Sequence, residues 1–166
     1  MKSRRCPRLF YPLICIAITF FSMNASASWL VENDVALGVE GGNLNYGLSM
    51  KLPHSAEASW QLTANAGANV NSFGGRYLSY YSQWNDTRVY WYAGASIWTW
   101  SGNRFYGSET VVGVGAGIGW DYDLIKSGAG APISLNATIG PSYAAFSNYS
   151  GLDLLNVGFG IHYRFK

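Results

Sequence analysis

The chain has 166 residues, with two histidines, His54 and His162, and two cysteines, Cys6 and Cys15. His54 is followed by Ser55 and then Glu57, a set that holds the nucleophile, base and orienting carboxylate of acyl-transfer chemistry. Such groups act only when they converge on one point, and three residues strung along a single turn do not. His162 stands on a different element, so the two histidines make no metal-ligand spacing. Gly113, Gly115, Gly117 and Gly119 alternate with apolar residues, whereas a phosphate-binding glycine loop opens a helix. The glycines instead make room for large neighbours, with Tyr90, Tyr92 and Trp98 as the expected fillers. No catalytic residue, cofactor or metal is expected.

Charge carries the stronger signal. Lys51, Arg88, Asp121, Asp123, His162 and Arg164 all fall on the polar face of alternating segments, near the same end. Enclosed charges of opposite sign should pair, because an unpaired buried charge is costly. The expected result is an ion-paired plug. The sharper reading makes His162 a proton-linked gate, since imidazole titrates near neutral pH.

The elements that position these groups have period two. Leu44 to Leu52, Trp60 to Val70, Val112 to Tyr122, Ile133 to Ile139 and Leu155 to Phe165 alternate apolar with Ser, Thr, Asn, Gln or Gly. Such alternation marks half-buried strands. Val35, Leu37 and Val39 start a shorter first strand. In Arg76 to Trp84, Leu78, Tyr80 and Trp84 are expected on one face; in Thr87 to Trp100, Arg88, Tyr90, Tyr92 and Trp98 share the other. Turn signals at Gly41-Gly42-Asn43, Pro53-His54-Ser55, Gly74-Gly75, Asn85-Asp86, Ser101-Gly102-Asn103, Ser127 to Pro132 and Ser147 to Gly151 give eight strands.

Lys+Arg number 11 and Asp+Glu 9. Lys2, Arg4, Arg5 and Arg8 precede the apolar run Leu9 to Met23, and Ala25-Ser26-Ala27 supplies a small-residue cleavage pattern. Residues 1–27 therefore read as a Sec-type secretory signal, and residues 28–166 as one exported β domain. Both cysteines fall within the signal, so the processed chain would use neither disulfides nor thiolates. Its seven basic residues face nine acidic ones, which excludes a basic nucleic-acid binder.

A soluble barrel has an outer face dense in Lys and Glu. Here the polar face is mainly Ser, Thr, Asn, Gln and Gly with few charges, which suits an interior, and the apolar face suits lipid. In lipid every backbone amide must be paired, so the sheet must close. Trp84, Trp120, Tyr122, Tyr163 and Phe165 would form one interfacial girdle, with Trp98, Trp100, Tyr143 and Phe146 forming the other. The expectation is an all-β, closed, eight-stranded, antiparallel up-and-down transmembrane barrel.

The whole pattern resembles the small eight-stranded outer-membrane proteins of Gram-negative bacteria, the OmpA/OmpX-like barrels. Its most specific part is the last strand, Asn156 to Lys166, with Val157, Phe159, Ile161, Tyr163 and Phe165 on one face. The resemblance implies that this strand is the signal read by the outer-membrane assembly machinery. Most members end on the aromatic; this chain ends Phe165-Lys166. The resemblance also implies residence in the outer membrane among lipopolysaccharide, as a monomer with a structural or surface-contact role. Some such barrels are lipid-A-modifying enzymes, a deacylase with a Ser-His-Glu site and a palmitoyltransferase. Those act near the outer leaflet, whereas His54, Ser55 and Glu57 fall in an expected periplasmic turn. A small ion or solute channel is the third reading, against which an eight-stranded interior is just wide enough for side chains. Surface loops are expected near Gly41 to Asn43, Asn71 to Gly75, Trp100 to Ser108 and Ser147 to Asp153. The third, with Arg104, Phe105 and Tyr106, is the candidate contact with a host or envelope protein.

Overall fold

The computed structural model describes residues 34–42, 44–67, 69–101, 108–145 and 150–165. Residues 1–27, expected to be a signal, and Arg104, Phe105 and Tyr106, expected as contact residues, lie outside these. Eight strands follow one another: β1 (Val35–Gly42), β2 (Gly47–Ser55), β3 (Ala58–Ala66), β4 (Val70–Trp84), β5 (Thr87–Trp100), β6 (Glu109–Asp123), β7 (Ile133–Ala145) and β8 (Ser150–Phe165). Each pairs antiparallel with the next, and β8 pairs back onto β1, closing a barrel. With an even number of up-and-down strands, β1 begins and β8 ends at the same rim.

The faces divide by parity. Outward on β8 are Val157, Phe159, Ile161, Tyr163 and Phe165, all exposed; inward are Asn156, His162 and Arg164, all buried. Outward on β6 are Val112, Val114, Ile118, Trp120 and Tyr122; inward are Val111, Asp121 and Asp123. The buried set is mainly polar and the exposed large side chains are apolar, the reverse of a water-soluble domain.

Five boundaries differ from the sequence expectation. Gly41 and Gly42, expected in a turn, end β1 and pair with Phe159 and Gly158. Gly74 and Gly75 lie within β4 rather than in a turn. Gly74 points into the barrel, where an added Cβ would collide with Asn45 and Ser96, so the glycine serves packing. Pro53 and His54 remain in β2, and the turn falls at Ala56–Glu57; the register shifts between Pro53 and Ser55, a break that accommodates the missing proline N–H. Ser150 to Asp153 belong to β8, which is longer than its alternating part. Leu44 does not begin an outward row. It leaves β1, turns inward and packs against Trp98 and Val111, and β2 starts only at Gly47, whose φ of 116° only glycine adopts readily.

A bulge changes one face. Tyr80 pairs with Tyr90 but Ser82 pairs with Val89, so Tyr81 is an extra residue. Beyond it the parity inverts. Trp84 therefore faces out, 77% exposed, rather than sharing the face of Leu78 and Tyr80, which are buried inside. Trp98 also faces in, not toward a girdle, while Trp100 and Tyr143 are exposed. Phe146 lies outside the described residues. Asn85 opens the β4–β5 turn with φ 51°, a left-handed conformation that Asn tolerates.

Candidate functional site: the charged barrel interior

Inward positions of β1, β2, β3, β4, β7 and β8 meet at mid-barrel around Glu40. Arg76 Nη2 donates to Glu40 Oε1 as a buried ion pair. Gln61 Nε2 donates to Glu40 Oε2 at 3.0 Å, and Asn136 Nδ2 donates to the same oxygen at 3.1 Å. Gln61 Oε1 in turn accepts from Arg76 Nε at 3.0 Å. Gln61 Nε2 also reaches Ser49 Oγ at 2.7 Å, and His162 Nε2 lies 2.9 Å from that hydroxyl. The carboxylate thus gathers donors from three other strands, the arrangement that makes burying a charge tolerable.

Toward the rim that carries the chain ends, Asp121 takes Lys51 Nζ at 2.5 Å and the Tyr80 hydroxyl at 2.8 Å. Arg88 Nη2 stands 3.8 Å from the same carboxylate. Asp123 takes Arg164 Nη2 at 2.5 Å. The second carboxylate also accepts the backbone N–H of Ile125 at 2.9 Å, which ties the β6–β7 turn to the ion pair. Aromatic rings cover the cations: Arg76 over Tyr92 at 5.3 Å, Arg88 over Tyr80 at 5.2 Å and Lys51 over Tyr90 at 5.9 Å. Tyr90 fills the space above Gly119, and Trp98 lies on Gly113, where an added Cβ would come within 2.5 Å of the ring.

At the opposite rim the interior turns apolar. Leu44, Trp98 and Val111 cluster with Tyr46 and Ala144, and below them Asn45 Oδ1 accepts from Thr63 Oγ1 at 3.0 Å and from Ser96 Oγ. A cavity of about 20 Å³ between Lys51, Ser59, Tyr80, Arg88 and Ser134 has room for about one water molecule.

All six sequence-predicted charges are buried inside the barrel. The structure joins Lys51, Arg88 and Asp121 in one cluster and Asp123 with Arg164 in another. His162 joins neither; it sits against Ser49 and Gln61 in the Glu40 group. Glu40, Arg76, Gln61 and Asn136 were missed by the sequence reading, although parity places Glu40 opposite Leu37 and Val39. Val157, Phe159, Ile161, Tyr163 and Phe165, expected from the sequence to be an assembly signal, form an exposed apolar row on β8.

The chemistry available here is limited by access. Ser49 and His162 are a serine and histidine at hydrogen-bond distance, but they are 3% and 0% exposed, so no substrate reaches the hydroxyl. His54 is exposed on the outer wall, its ring 6.5 Å from that of Tyr77. Among the described residues no three His, Cys, Asp or Glu side chains gather as a metal-binding set.

Two solved structures share this architecture. The N-terminal β-barrel domain of OprF from Pseudomonas aeruginosa matches with a TM-score of 0.52 at 14% identity, over 81% of this chain and 98% of that one. Neisserial surface protein A matches with a TM-score of 0.51 at 14% identity, over 80% of this chain and 94% of that one. No protein-family model matches the chain, and no curated protein does. Identities this low carry the fold alone: the chain has the fold of the small eight-stranded outer-membrane barrels.

Proposed function

We propose that this chain is a non-catalytic integral barrel of the bacterial outer membrane, with a structural or surface-contact role in the envelope. The observation that carries the reading is the inverted core. Leu48, Phe73, Trp84, Leu154 and Phe159 are each more than half exposed on the outer wall, while Glu40, Arg76, Asp121 and Arg164 are buried within. Water would penalise that outer wall, and a hydrocarbon layer would favour it. The outward aromatics Trp84, Trp120, Tyr122, Tyr163 and Phe165 lie at the rim of the chain ends, where rings bridge lipid and water. That rim is the periplasmic one, and the signal at residues 1–27 delivers the chain there through the Sec route. The β8 row then serves the assembly machinery, and the barrel stands as a monomer among lipopolysaccharide.

The interior speaks for scaffold rather than conduit or enzyme. Ion pairs, stacked rings and the inward Leu44 occupy the space between the walls. Arg104, Phe105 and Tyr106 remain the proposed contact residues toward host or envelope proteins. The test is to express the full chain, isolate outer membranes and run detergent gels with and without boiling. The reading expects a heat-dependent mobility shift in the outer-membrane fraction, because a closed barrel offers no edge for unfolding. A soluble product that runs unshifted overturns it.

A further inference from the structure

The interior cavity of about 20 Å³ lies just inside the rim that carries the chain ends. Asp34, which lines it, precedes β1; Arg88 and Arg164, which also line it, stand one residue from the start of β5 and from the end of β8. Three cations surround the space, Lys51, Arg88 and Arg164, against one acid, Asp34. The cations are buried, at 6%, 7% and 5% exposure, whereas Asp34 is half-buried.

The carboxylates that engage these cations are not among the groups lining the space. Asp121 takes Lys51 Nζ and faces Arg88 Nη2, and Asp123 takes Arg164 Nη2. The two arginines are thus engaged through Nη2, while the Nε of each, also buried, meets no hydrogen-bond acceptor in the protein. Ser134, on the same lining and 2% exposed, adds a hydroxyl that can turn its proton toward an acceptor.

We propose that this cavity is a binding site for one small inorganic anion of halide size, with chloride as its occupant. Charge selects the anion over water or a metal ion. The three cations act on the same point, in a medium where charges interact more strongly than in bulk water. Buried donors also require acceptors, and an anion supplies one to several donors at once. Size selects a monatomic ion: the space is that of about one water molecule, too small for phosphate, sulfate or a carboxylate. Asp34, the one acid on the lining, opposes the anion and sets its affinity. The site is independent of what surrounds the outer wall.

The test is urea unfolding of the purified full-length barrel as chloride replaces gluconate at constant ionic strength. Gluconate is too large for the cavity, and a ligand that binds only the folded state raises stability in a saturable way. Ala36→Val narrows the cavity at a lining position without changing any charge. Asp34→Asn removes the opposing acid. The expected result is a wild-type midpoint that rises with chloride and levels off. The half-saturating concentration should be at least tenfold higher in Ala36→Val and at least threefold lower in Asp34→Asn. A midpoint that ignores chloride means that the cavity holds water only, and overturns the inference. An equal response in the wild type and Ala36→Val overturns it too, because the chloride then acts at the surface. Should Ala36→Val fail to fold, Asp34→Asn, at a half-buried position outside the strands, decides alone, and an unchanged half-saturation there overturns the site.

Discussion

At the scale of single residues, Glu40 is the position on which the interior depends. It holds Arg76 and accepts from Gln61 and Asn136. Removing one partner of a buried pair strands the other charge, at a cost of about 3–5 kcal/mol. Glu40→Ala should therefore lower the unfolding free energy of the vesicle-folded barrel, read from urea titration, by that amount, and Glu40→Leu with Arg76→Leu should recover most of it. A single variant as stable as the wild type would contradict the hub. Gly119→Leu should collide with Tyr90 and cost about 1–3 kcal/mol, as overpacking does. Adding Tyr90→Ala should restore the yield of the heat-modifiable form. On the outer wall, His54→Ala should leave stability within about 0.5 kcal/mol. Lipid A acylation in cells should also be unchanged; a changed acyl pattern would revive the enzyme reading. Residue identity was legible where parity was clean. Asp121, Asp123 and Arg164 could be placed inside from the alternation of β6 and β8 alone. Glu40 was hidden because Gly41-Gly42 reads as a turn, and Arg76 because Gly74-Gly75 does.

At the scale of elements, the alternating strands were visible and their irregularities were not. Period two fixes which side a residue faces until one residue is inserted, and the insertion at Tyr81 leaves no mark in composition. That single bulge sends Trp84 outward. The register also shifts around Pro141, between Gly140 and Ser142, where a proline without an N–H meets the ladder. The β1–β2 connection is the other element that the alternation misrepresents. Leu44 has the spacing of an outward residue but seals the far rim from within. Leu44→Ala should cost about 2 kcal/mol or more, the range for a buried Leu deletion. The check is the temperature at which the folded gel band is lost. An unchanged temperature would mean that the loop does not close the rim.

At the scale of the whole molecule, the chain is a core turned inside out. Charged groups pair within it, Glu40 with Arg76 and Asp123 with Arg164, while large apolar groups cover the outer wall. The fold class was legible because so few charges appear on the polar face of the strands. The specific role was not, because periodicity describes strands and says nothing of what the segments between them touch, and Arg104, Phe105 and Tyr106 lie outside the described residues. The most direct measurement of the central claim is cysteine labelling of the outer wall in intact outer membranes. A chain processed after Ala27 has no cysteine of its own. Leu48→Cys places one at a position that is 72% exposed on the barrel surface. The account predicts no reaction with a charged, membrane-impermeant maleimide until the membrane is dissolved and the barrel unfolded by boiling in detergent. Full labelling of the native protein without those steps would show that Leu48 faces water, and would contradict the account.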